Sequence, residues 1–135
     1  MIKLVVNMYL LAGDAKTIHW NATGVNAYSL HIILDDFEEA LRKEGDRLAE
    51  RARFLKLKPS ITLLSLNNQD DLPRDIHLND KTTTMMVQSL IVNAEGVSSS
   101  ADSIRKKLGS CENAILDDIQ EMIGRYVYLL RSTIK

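Results

Sequence analysis

Two pairs of side chains in this sequence have the types and the spacing to hold a metal ion. His31 is followed by Asp35, and Asp46 by Glu50, each at four residues' distance. On an α-helix, residues i and i+4 share a face. The pairs are eleven residues apart, close to three whole turns, so Asp46 is rotated only about 20° from Asp35. His31, Asp35, Asp46 and Glu50 therefore fall on one slowly drifting stripe. Imidazole nitrogen mixed with carboxylate oxygen suits iron, zinc or manganese.

Distance limits what one chain can do with that stripe. Asp35 and Asp46 lie about 16 Å apart along a helix axis, whereas a metal–ligand bond is only about 2 Å long. One copy cannot bring both pairs to one ion. Two copies can, if their second helices pack antiparallel across a twofold axis near residues 40–41. An isologous interface then forms the mixed contact twice, once on each side of the axis. The same residues also fit a plain solvated charge stripe, and spacing alone leaves that open. A metal centre inside a helical bundle needs Glu-x-x-His. None is present, since Lys16, Tyr28 and Arg74 stand three residues before the three histidines. His77, beside Asp75, reads as a solvated loop histidine.

The elements that would carry the stripe are helical, because apolar residues recur at three- and four-residue steps and alternating β-branched runs are absent. The first helix is expected from residue 2 to about 21, with Gly13 a weak point inside it. After a Thr23-Gly24-Val25-Asn26 turn, Asn26 is expected to cap a second helix reaching about Leu55. Its apolar face is Leu30, Ile33, Leu34, Phe37, Leu41, Leu48, Ala52 and Leu55, and Glu38-Arg42 and Glu39-Lys43 add favourable i,i+4 pairs. Lys56 to Asn79 is too long for a structureless loop, so a short helix is expected after Ser60, around Leu63 and Leu66. A third helix is expected from an Asp80 cap through Leu108, with Gly109 ending it in the left-handed position. A fourth, capped by Ser110, should run from Cys111 to about Thr133. This is an all-α, four-helix bundle with a short extra helix in the long connection between helices two and three, over one domain, 1–135. That long connection lets helices two and three run parallel.

Composition sets the remaining bounds. The net charge of −1 gives no general pull toward nucleic acid or an anionic membrane. One cysteine, Cys111, excludes an internal disulfide and points to a reducing, cytoplasmic setting. Near a helix start Cys111 could be a reactive thiol, but a buried or inert one is the expectation. Lys3 ahead of the apolar run 4–12 superficially resembles a signal peptide. Asn7 interrupts the run, no cleavage site follows, and it is too short to span a bilayer.

The motif His19-Trp20-Asn21, Gly24, His31, Asp35, Asp46 and Ala49-Glu50-Arg51-Ala52 resembles the Dps family, the DNA-binding proteins from starved cells. The family pattern is His-Trp, a second His twelve residues on, Asp four later, then Asp and Glu from an Ala-Glu-Arg segment. Pro73 to His77 and the aromatic end of the fourth helix also look similar. The resemblance spans nearly the whole chain.

It implies a ferritin-like bundle assembled from twofold dimers into a hollow dodecamer. It implies a ferroxidase site in which His19, His31 and Asp35 of one subunit meet Asp46 and Glu50 of another. It implies that Fe(II) is oxidised there, preferentially by hydrogen peroxide, and that ferric mineral is stored in the cavity. Zinc or manganese could substitute for iron. Trp20 would lie near the site, either taking up stray oxidising equivalents or packing at the interface. Glu112, Asp117 and Asp118 fall in the region that lines iron-entry pores in the family, without a residue-by-residue match.

The sequence departs from the family in showing no lysine-rich tail, and Arg105-Lys106-Lys107 is a small basic cluster that reads as a helix C-terminus complementing the dipole rather than a DNA patch. DNA binding is therefore expected to be weak or absent. The competing reading is a non-enzymatic DNA-compacting or structural oligomer of the same fold. The full set of five ligand positions argues against it.

Overall fold

The computed structural model describes residues 1–67 and 82–135. Five α-helices follow one another: α1 (Ile2–Asn21), α2 (Ala27–Phe54), a short α3 (Leu63–Asn67), α4 (Thr83–Ile104) and α5 (Ser110–Thr133). A single 3-10 turn, Arg105–Lys107, joins the last two. No strand occurs among the described residues. None of their helices is long and apolar enough to cross a membrane.

The four long helices form a ring in which α1 and α5 each pack against both α2 and α4. The periodic apolar positions supply the core: Leu30, Leu34, Phe37, Leu41 and Leu48 from α2, and Leu116, Ile119, Ile123 and Leu130 from α5, all nearly solvent-free. Phe37 stacks on Tyr126 with ring centroids 4.8 Å apart, a favourable aromatic separation. At the α1–α2 contact Gly45 is buried without a side chain, and the Tyr9 ring lies against it.

Hydrogen bonds fix the direction of each helix. The backbone N–H of Thr23 donates to Oγ1 of Thr83 at 2.9 Å, so the start of α4 sits beside the α1–α2 turn. At the same end, Nδ2 of Asn26 donates to the carbonyl of Thr133, the last residue of α5, at 2.7 Å. The starts of α2 and α4 thus share one end of the bundle. The two helices run parallel, as the long connection allows.

Several helix ends differ from expectation. Asn26 precedes α2 but makes no side-chain cap: its backbone, φ −97° and ψ 6°, is not the extended conformation of a cap residue, and its Nδ2 donates to Thr133. Thr82 caps α4, its Oγ1 accepting from the N–H of Met85 at 3.2 Å. The expected cap, Asp80, lies outside the described residues, as do Pro73, Asp75 and His77. Gly109 is not left-handed: with φ −80° and ψ −179° it is extended, and it serves as the cap position of α5. The helix before it ends earlier, at Ile104. Nδ2 of Asn113 reaches back from α5 to the carbonyls of Arg105 and Leu108, both at 3.3 Å, and satisfies the chain end there. Ser110 is the first residue of α5 rather than its cap. Cys111 is exposed rather than buried.

Candidate metal centre

His19 sits in the last turn of α1 and His31 near the start of α2. The chain reverses between them through Gly24, whose φ of +97° is a conformation that glycine adopts at little cost. The reversal stacks the two imidazoles with centroids 3.6 Å apart. Nδ1 of His19 lies 2.8 Å from the carbonyl oxygen of His31. A carbonyl can only accept, so Nδ1 must carry the proton. In the neutral ring the lone pair is then on Nε2, free to bind a metal.

Asp35 lies one turn beyond His31, and both histidines are near enough to act electrostatically on its carboxylate. Its closest partner is Lys16 on α1, with Nζ 2.5 Å from Oδ1. That hydrogen bond, ahead of every other influence, holds the Asp35 carboxyl below its usual range. It raises Lys16 in turn. The same ammonium is 3.9 Å from Oε2 of Glu38. Glu38 is buried, and its other oxygen, Oε1, accepts from Arg42 at 2.9 Å. The Glu38–Arg42 pair was legible as an i,i+4 spacing. The part played by Lys16 was not, because it needs α1 and α2 in contact.

Asp46 and Glu50 are both exposed further along α2. Neither has an ion pair or side-chain hydrogen bond among the described residues. His19, His31 and Asp35 are thus brought together, and Asp46 and Glu50 are not brought to them. Among the described residues, no group of three or more His, Cys, Asp or Glu side chains in the single chain is arranged to hold a metal. Near the histidines in sequence, Trp20 is 73% exposed and Tyr28 78%.

The three pore candidates on α5, Glu112, Asp117 and Asp118, are all committed to basic partners. Glu112 is buried and accepts from Nε of Arg51 at 2.7 Å. Arg51, then the backbone N–H groups of Glu112 and Gly109, hold its carboxyl below the usual range. Glu112 therefore does the job of a capping-box acid at the start of α5. The sequence signal for this was present, an acid three residues after the cap position. Asp117 pairs with Arg105 at 2.7 Å and Asp118 with Arg47 at 2.5 Å, both on the surface.

A family model described as a ferritin-like domain matches residues 3–123. A curated relative, DNA protection during starvation protein 2 of Deinococcus radiodurans, is 24% identical over 128 residues. The alignment covers 88% of this chain and 50% of that protein, so the chain spans about half the length of this relative. An archaeal Dps homologue from Halobacterium salinarum superposes with a TM-score of 0.88 at 18% identity, covering 99% of this chain and 76% of that one. A point mutant of Mycobacterium smegmatis Dps1 gives 0.84 at 21% identity, covering 99% and 91%. At these identities the two structures speak for the fold.

Proposed function

The chain belongs to the ferritin-like family, with Dps proteins as its relatives, and from that premise we propose that it is a mini-ferritin oxidising ferrous iron at sites shared between two copies. One observation carries this reading. His31 with Asp35, and Asp46 with Glu50, stand as two pairs on the same helix, too far apart to serve one ion from a single chain.

In the shared site His19, His31 and Asp35 come from one protomer, and Asp46 and Glu50 of the partner subunit complete the set. The imidazoles hold iron in its ferrous form. The carboxylates favour the ferric product, so oxidation is downhill at this ligand set. With peroxide the step balances as 2 Fe²⁺ + H₂O₂ + 2 H⁺ → 2 Fe³⁺ + 2 H₂O. The ferric product is stored as mineral in a closed oligomer of twelve copies. Glu112, Asp117 and Asp118 are the pore candidates in that assembly. Asp117 and Asp118, being exposed, are better placed than Glu112, which is buried against Arg51.

The test is anaerobic addition of ferrous iron and peroxide, followed by ferric absorbance. The parent should show a fast rise. His31→Ala and Asp46→Ala should each slow it on the order of tenfold or more, as losses around metal sites commonly do. Three equal traces would remove the reading.

A further inference from the structure

Lys16 places an ammonium group where a metal cation would have to approach Asp35, with Nζ 2.5 Å from Oδ1. A divalent ion on that carboxylate and the ammonium would be like charges a few ångströms apart, which is unfavourable even with good screening. The ammonium must therefore give up Oδ1 when metal takes that oxygen. The structure also offers it a destination. Glu38 lies three residues past Asp35, on the same side of α2, with Oε2 already 3.9 Å from Nζ. Its other oxygen is taken by Arg42, so Oε2 is the acceptor within reach. A charge-assisted hydrogen bond there needs Nζ to move only about 1 Å. The side chain of Glu38 is just 11% exposed, and a buried carboxylate gains from a second cation.

We propose that Lys16 is a placeholder cation that holds Asp35 until metal arrives and is then received by Glu38. Lys16 and Glu38 are positioning residues in this scheme. Neither ligates iron. The inference rests on the shared-site reading above. It predicts that the empty site is charge-compensated, and that every arriving ion must displace an internal competitor.

Cobalt(II) serves as a probe that peroxide chemistry does not complicate, titrated calorimetrically into the assembled protein. Lys16→Met should tighten cobalt binding by about fivefold at low salt, the upper range for a solvent-accessible pair. Lys16→Arg, which keeps the charge, should bind close to the parent. Glu38→Gln should weaken binding by about threefold with Lys16 present and by much less in the Lys16→Met background. Equal weakening in both backgrounds means that Glu38 acts only through its general field, and overturns the hand-off. So does unchanged affinity in Lys16→Met.

His31→Ala separates the two levels of the argument. If it binds cobalt like the parent, the shared site fails and the hand-off with it. If it loses cobalt while the Lys16–Glu38 cycle is additive, only the hand-off fails. A cobalt-soaked crystal of the parent gives an answer even if Glu38→Gln does not fold. Nζ should lie nearer Glu38 than Asp35, and an ammonium still on Asp35 beside bound cobalt refutes the proposal.

Discussion

Nε of Arg51 donates to Oε1 of the buried Glu112 at 2.7 Å, tying the last turn of α2 to the first turn of α5. Folding depresses the Glu112 carboxyl below its ordinary value of 4.5, so the folded state favours the ionised form. The stability this contributes is complete above the unfolded value and is lost as pH falls through the depressed folded one. Glu112→Gln should therefore lower Tm at neutral pH by several degrees and flatten the acid side of the Tm–pH curve. A variant whose Tm falls with acid as steeply as the parent's would show that other carboxylates govern the acid limb.

Two glycines in long helices should respond in opposite directions. Gly13 is exposed in α1, and a Cβ built there meets nothing within 4 Å. Gly13→Ala should add about 0.5–1 kcal/mol by removing the entropy cost of a mid-helix glycine. At Gly45 a Cβ would stand 3.1 Å from Cε2 of Tyr9. Gly45→Val should cost about 1–3 kcal/mol, as overpacked contacts do. Urea unfolding of both variants checks the pair, and a Gly45→Val protein as stable as the parent would mean that the Tyr9 ring yields freely.

What could be read from the sequence divides along physical lines. The helices were legible because each buries a stripe at helical period, and the short α3 because a long connection is seldom structureless. The His31–Asp35 and Asp46–Glu50 pairs were legible because i,i+4 spacing acts within one helix. The ends were harder. Asn26 has the chemistry of a cap, yet its backbone is not extended as a cap requires, and its Nδ2 instead ties α2 to the Thr133 carbonyl. Gly109 suits a left-handed helix end, but Glu112 takes over the start of α5 and places the glycine before it in extended backbone. Lys16 and Glu38 were not legible as partners. They are twenty-two residues apart, and only the packing of α1 on α2 makes them neighbours.

Charge distribution predicts little grip on DNA. The net charge is −1, and within the Arg105-Lys106-Lys107 cluster Arg105 is already bound to Asp102 and Asp117. Lys106 and Lys107 remain exposed, too few to release many counterions from a phosphate backbone. A gel shift at about 0.15 M salt should show unretarded duplex, and retention there would contradict the charge argument.

The sharing of the site can be tested by mixing two inactive proteins. In an assembly of His31→Ala chains every site lacks the His31 imidazole, and in one of Asp46→Ala chains every site lacks the Asp46 carboxylate. A dimer with one chain of each kind differs. One of its sites collects both defects, and the other takes His31 from the Asp46→Ala chain and Asp46 from the His31→Ala chain. That second site is intact. Random pairing from equal amounts makes half the dimers mixed, so about a quarter of all sites should be whole if the interface is isologous. Co-expressed or jointly refolded variants should therefore regain about a quarter of the fast ferric absorbance of the parent, while each alone shows almost none. Sites built within single chains cannot be repaired in this way, so a mixture as inactive as its components would exclude ligands shared across the twofold axis.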